Sequence, residues 1–174
     1  MKTILCYGDS LTFGSDPAVV GGRHAYENRW PTALGEALGT NKVRIIAEGL
    51  GGRTTVFDDF SDIADRNGAN VLPTLLASHS PLDCVAIMLG TNDLKTYLSG
   101  SAFGSAMGMK RLVEIVRTYP YSETAPVPEV VLIAPPLCVA TAHADLSPMF
   151  EHGLAESALF AGHYERVEIG RAHV

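Results

Sequence analysis

Cysteine is scarce in this chain: Cys6, Cys84 and Cys138 are the only three in 174 residues. An odd count at wide spacing suits neither a disulfide framework nor a zinc site. Each lies in or just after an apolar run, so all three read as small core hydrophobes. Cationic charge is also short. Against 19 Asp and Glu there are 13 Lys and Arg, a formal net charge of −6, and this excludes a nucleic-acid binder, which needs a cationic face. No apolar run approaches membrane-spanning length, so no membrane partner is expected. The N-terminus offers Lys2 and then a strand-length apolar run, with no signal-peptide core or cleavage pattern, and a cytoplasmic location is expected. Low-complexity tracts, internal repeats and linkers are missing as well. The length then fits one domain with a substantial core.

What is present is an alternation of short apolar runs with helical periods. Residues 3–7, 43–48, 82–89 and 130–134 read as strands, the third almost continuously apolar, as in a strand buried on both faces. Helices are expected over 30–38, opened by Pro31 and closed by Gly39; over 70–78 despite Pro73; over 106–117, with Met109, Leu112, Val113 and Val116 inward; and over 151–166. This order predicts an α/β fold with a parallel sheet and helices on both faces. The acidic stretch 57–67, with Asp58, Asp59, Asp62 and Asp65, reads as a solvated surface segment rather than a metal site.

Three of the expected strands end in polar or glycine-rich signatures. The first runs into Gly8-Asp9-Ser10-Leu11, the second into Gly49-Leu50-Gly51-Gly52-Arg53-Thr54-Thr55, the third into Gly90-Thr91-Asn92-Asp93. Asp9 and Ser10 are common turn and helix caps, and capping alone would explain them. The glycines after strand two invite a dinucleotide fingerprint, but Gly-x-Gly-x-x-Gly from Gly49 needs glycine at 54, where Thr54 stands. In a parallel sheet all three ends emerge at one edge, where open α/β folds bind ligands. Acyl transfer needs a hydroxyl to attack a carbonyl and donors already facing the oxyanion that forms. Ser10 supplies the hydroxyl; the N–H groups of Ser10 and Gly52 and the amide of Asn92 supply donors; Asp9 and Asp93 stand beside them in support.

On these blocks the sequence resembles the GDSL, or SGNH, hydrolase family, and within it the small bacterial arylesterases and acyltransferases. Gly52-Arg53-Thr54-Thr55, Met88-Leu89-Gly90-Thr91-Asn92-Asp93 and Pro135-Pro136 carry the subgroup likeness, which extends over about residues 2–167. The resemblance implies a flavodoxin-like three-layer α/β/α sandwich and ester hydrolysis through an acyl-serine intermediate, without cofactor or metal. It implies small or aryl esters as substrates, water or an alcohol as acceptor, and compatibility with a homo-oligomer. Ser10 takes the nucleophile's place, Gly52 and Asn92 the oxyanion hole. Leu11, Phe13, Met149 and Phe150 are candidates for an apolar acyl or aryl pocket, with ordinary core as the other reading of the same residues.

One block of the family pattern is missing. Its Asp-x-x-His element supplies the base and the group that orients it. The residues three positions before the six histidines are Gly21, Leu76, Ala140, Met149, Phe160 and Gly170; none is aspartate. The sheet is therefore expected to lack the family's last strand and helix, and residues 1–168 to form a C-terminally shortened esterase domain. Residues 169–174 match no family element and can be back-translated as the start of a sequencing adapter, so a non-native tail is expected there. Slow turnover and poor expression are expected of the chain as written. The rival readings are a non-catalytic relative that binds a carbohydrate or lipid in the same crevice and a flavin binder, the latter weakened by the failed fingerprint.

Overall fold

The computed structural model describes residues 1–169; residues 170–174, the greater part of the expected tail, lie outside the described residues. Four strands, β1 (Lys2–Gly8), β2 (Val43–Gly49), β3 (Cys84–Met88) and β4 (Glu129–Leu132), form a parallel sheet in the order β2-β1-β3-β4. Helices α1 (Ser10–Phe13), α2 (Trp30–Leu38), α3 (Gly68–His79), α4 (Ala102–Thr118), α5 (Leu146–Met149), α6 (Gly153–Ser157) and α7 (Phe160–Ile169) connect and cover them.

The register places the site. Gly8 of β1 lies opposite Gly49 of β2 on one side and Met88 of β3 on the other. The three strands therefore finish level, and the chain leaving each one turns at the same edge. Alternation along the strands sorts the faces. Leu5, Tyr7, Val85 and Ile87 point into the main core with Leu72 and Leu76 of α3, Met109 and Leu112 of α4, and Phe160 and Tyr164 of α7. Burial of each large side chain there contributes roughly 1.5–3 kcal/mol. The other face is covered by α2, whose Gly35 leaves just enough room for Ile45: a methyl group on it would lie 2.9 Å from the isoleucine Cγ1.

The architecture is the one expected, with differences in detail. Helix α4 starts a turn earlier than its apolar period suggests, because the Ser101 hydroxyl caps it by accepting from the Gly104 N–H at 3.1 Å. The single helix expected over 151–166 is two. Ser157 turns inward instead of continuing a surface, its hydroxyl accepting from the Cys138 N–H at 3.0 Å, and the chain restarts so that Phe160, Tyr164 and Val167 bury one stripe against the core. The acidic segment is not simply solvated. Asp59 is buried against Lys95 at 2.5 Å; burial pushes its carboxyl up, but Lys95 and the Ser61 donors outweigh that and hold it at about 2. No helix among the described residues is long and apolar enough to cross a membrane.

Candidate active site

Asp9 leaves β1 as the cap of α1, its Oδ1 accepting from the Leu11 N–H at 2.9 Å. The capping role read from the sequence is thus real, and it belongs to Asp9. Ser10 is the first residue of the helix and half-buried; its own N–H, at a helix start, has no intrahelical acceptor. The Gly8 carbonyl behind it accepts from the Leu50 N–H at 3.1 Å and from Arg53 Nη1 at 2.8 Å. The β2 loop is in this way bonded directly to the end of β1.

Gly52 stands in that loop at φ 81°, a left-handed conformation that other L-residues adopt at a penalty. Among the described residues its N–H donates to no backbone or side-chain acceptor. The guanidinium of Arg66 lies against its Cα, so that a methyl group there would meet Nε at 2.5 Å. Arg53, next in the chain, is a buried cation whose guanidinium sits 4.4 Å from the Tyr7 ring centre.

Asn92 sits in a short 3-10 turn, Thr91–Leu94, after β3. Its buried amide joins all three strand ends: Nδ2 donates to Asp9 Oδ2 at 3.2 Å and to the Arg53 carbonyl at 3.1 Å. Both amide hydrogens are thus engaged, through long contacts, and donation to an oxyanion requires sharing one of them. Asp93 performs a latch. Its carboxylate accepts from the Thr55 N–H at 2.9 Å and the Thr55 hydroxyl at 2.6 Å. Burial pushes the Asp9 carboxyl up to about 7, against the pull of the Leu11 N–H. Asp93 is pushed by burial to about 6, against its Thr55 donors.

Asp9, Ser10, Gly52, Asn92 and Asp93 are therefore brought to one edge, as the sequence led one to expect. Of the four apolar candidates, Phe150 faces a cavity of about 410 Å³, which it lines with Thr91, Cys138, Leu146 and Leu154, whereas Leu11, Phe13 and Met149 are not among its lining residues. The Phe13 ring is covered by the Arg23 guanidinium at 3.8 Å, and the Met149 carbonyl accepts from the Thr96 N–H at 2.9 Å. Two of the histidines are engaged elsewhere. His79 pairs with Glu48 at 2.9 Å, and His143 Nδ1 accepts from the Asp145 N–H at 3.2 Å. Among the described residues no histidine hydrogen-bonds Ser10. Sequence reading missed the parts that fasten the edge together: Arg53, the Thr55–Asp93 latch, and Asp59 with Lys95 and Arg66. Arg53 and Thr55 stood in the quoted glycine block, but nothing in their spacing gave their partners.

A parallel α/β sheet that presents a serine, a backbone N–H and a buried amide at adjoining strand ends has the parts that ester hydrolysis needs. The comparisons narrow this. The GDSL-like lipase/acylhydrolase family model matches residues 6–163. The structure is similar to that of a carbohydrate acetylesterase family member from Sinorhizobium meliloti, with TM-score 0.94 and 47% identity over 99% of this chain and 80% of that one. A carbohydrate acetylesterase from the same organism gives 0.92 and 38%, covering 99% and 81%. The M. smegmatis aryl esterase gives 0.90 and 39%, again 99% and 81%. No curated protein matches the chain. The chain belongs to the GDSL-like lipase/acylhydrolase family, and its chemistry is that of a carboxylic ester hydrolase.

Proposed function

We propose that the protein cleaves small acetyl and aryl esters through an acyl intermediate on Ser10. The Ser10 Oγ attacks the ester carbonyl; the oxygen that becomes negative is received by the N–H groups of Ser10 and Gly52 and by Asn92 Nδ2. Collapse expels the alcohol or phenol, and water or a small alcohol then takes the acyl group. The observation that carries this reading is the Asn92 amide, which ties the serine-bearing turn to the Gly52 loop through Asp9 and the Arg53 carbonyl. An oxyanion donor of this kind is typically worth about 3 kcal/mol in the transition state.

The missing step is proton transfer. With no histidine bonded to Ser10 among the described residues, the hydroxyl stays a weak nucleophile and its proton leaves to solvent. A leaving group that needs no proton suffers least from this. Aryl esters, which depart as phenolates, are therefore the favoured class. The same observation supports a second reading, a protein that binds a carbohydrate or lipid ester without cleaving it. The two are separated by p-nitrophenyl acetate hydrolysis in imidazole buffer, where imidazole supplies the base. Release of p-nitrophenol above the Ser10→Ala blank supports the esterase; identical rates favour the binder.

A further inference from the structure

We propose that Arg66 is a positioning residue for the oxyanion hole, holding the Gly52 N–H in place through the flat face of its guanidinium. The inference rests on the esterase reading and adds a residue outside the family's sequence blocks.

Four observations carry it. First, Nε, Cζ and Cδ of Arg66 would lie 2.5, 2.6 and 2.9 Å from a methyl group on Gly52, so the planar head covers the glycine directly. Second, Arg66 is anchored from both sides. Its carbonyl accepts from the Thr54 N–H at 2.9 Å, two residues past Gly52. Its Nη1 donates to Ser61 Oγ at 2.7 Å and its Nη2 to Asp62 at 2.8 Å. Third, the loop that holds it is itself fixed by a buried charge. Asp59, 3.4 Å from Arg66 Nη1, is bonded to Lys95, and Lys95 lies two residues after Asp93 on the β3 turn. The chain from Gly52 through Arg66, Asp59 and Lys95 thus returns to the Asn92 turn, linking the two proposed oxyanion donors by a second route. Fourth, Arg66 Nε is buried with no acceptor among the described residues. A buried donor left unpaired is unfavourable, and here it is retained at the surface of Gly52.

A flexible side chain could not do this. Gly52 has the widest conformational freedom of any residue and sits at positive φ; the Leu50 carbonyl, accepting from the Arg53 N–H at 3.1 Å, closes the turn around it, and the Arg66 head packed on its Cα limits the movement that remains. A planar head supported by three acceptors is rigid; a lysine ammonium is a point charge on a mobile stem.

The experiment measures acetylation of Ser10 by p-nitrophenyl acetate in imidazole buffer, for wild type, Arg66→Ala and Arg66→Lys, with urea midpoints to confirm folding. Both variants are expected to acetylate about tenfold or more slowly at saturating ester, with apparent KM changed less than about twofold, as for a misplaced donor. Gly52→Ala, which slows wild type, is expected to lose the part of its effect that comes from the Arg66 contact in the Arg66→Ala background, while the positive-φ penalty remains. Arg66→Ala acetylating as fast as wild type overturns the proposal. So does full rescue by Arg66→Lys, which would assign the effect to charge, and so does additivity with Gly52→Ala. If wild type itself is not acetylated, the esterase reading fails, and this one with it.

Discussion

A methyl group at position 108 should loosen the strand-end cluster from behind. Gly108 lies on α4, where alanine is normally the better residue by about 1 kcal/mol. Here a Cβ would fall 1.9 Å from Thr55 Oγ1 and 2.6 Å from Thr55 Cβ. Neither atom is a free chain end: the hydroxyl donates to Asp93 Oδ2 at 2.6 Å, and the adjoining N–H to Oδ1 at 2.9 Å. Thr55 must move, and a buried carboxylate then loses donors, at about 1–3 kcal/mol. Overpacking adds about 1–3 kcal/mol. After the helix gain, Gly108→Ala should destabilise by about 3 kcal/mol. With a urea slope of about 2 kcal/mol/M the midpoint falls by about 1.5 M. In a Thr55→Gly background the main obstruction is gone, leaving Val56 Cγ2 at 3.2 Å, and the same change should cost far less. A Gly108→Ala midpoint at or above wild type would refute the close approach of α4 to the latch.

Removing the hub of the acidic loop should be as damaging. Lys95→Met leaves Asp59 buried without its main partner and should lower stability by about 3 kcal/mol, read as a denaturation midpoint; an unchanged midpoint would mean that Arg66 and Ser61 suffice. The two raised carboxylates give a pH signature. Asp9 and Asp93 keep protons in the folded state that the unfolded chain releases near pH 4, so their contribution is full below that point and is lost as pH rises through about 6 and 7. The urea midpoint should fall over this window and flatten in Asp9→Asn/Asp93→Asn; a flat wild-type profile would contradict the burial of the pair. Asn92→Ala should slow Ser10 acetylation by about 100-fold with little change in apparent KM, and a pure KM effect would place Asn92 in ground-state binding instead.

Much of this site is legible in the sequence. Short apolar runs can only be buried strands when helices alternate with them, and parallel pairing then forces their ends to one edge. That was enough to bring Ser10, Gly52 and Asn92 together. It did not reveal what holds them, because the fastening is long-range and polar. Asn92 bonds Asp9 across 83 positions, and Thr55 bonds Asp93 across 38, at spacings no local pattern marks. The sequence hides the burial of Asp59 for a related reason. A run of aspartates looks solvated unless the lysine that buries one of them, 36 positions on, is known. The break between α6 and α7 was hidden because Ser157 is an acceptable helix residue until its hydroxyl is seen to face Cys138.

The proposed role of Ser10 is that of a nucleophile facing an oxyanion hole. It is tested most directly by brief exposure to p-nitrophenyl acetate in imidazole buffer, followed by quenching and peptide mass spectrometry. One acetyl group is expected on Ser10, abolished in Ser10→Ala and much reduced in Asn92→Ala. An unmodified Ser10 in folded protein, or acetylation confined to surface lysines, would contradict it.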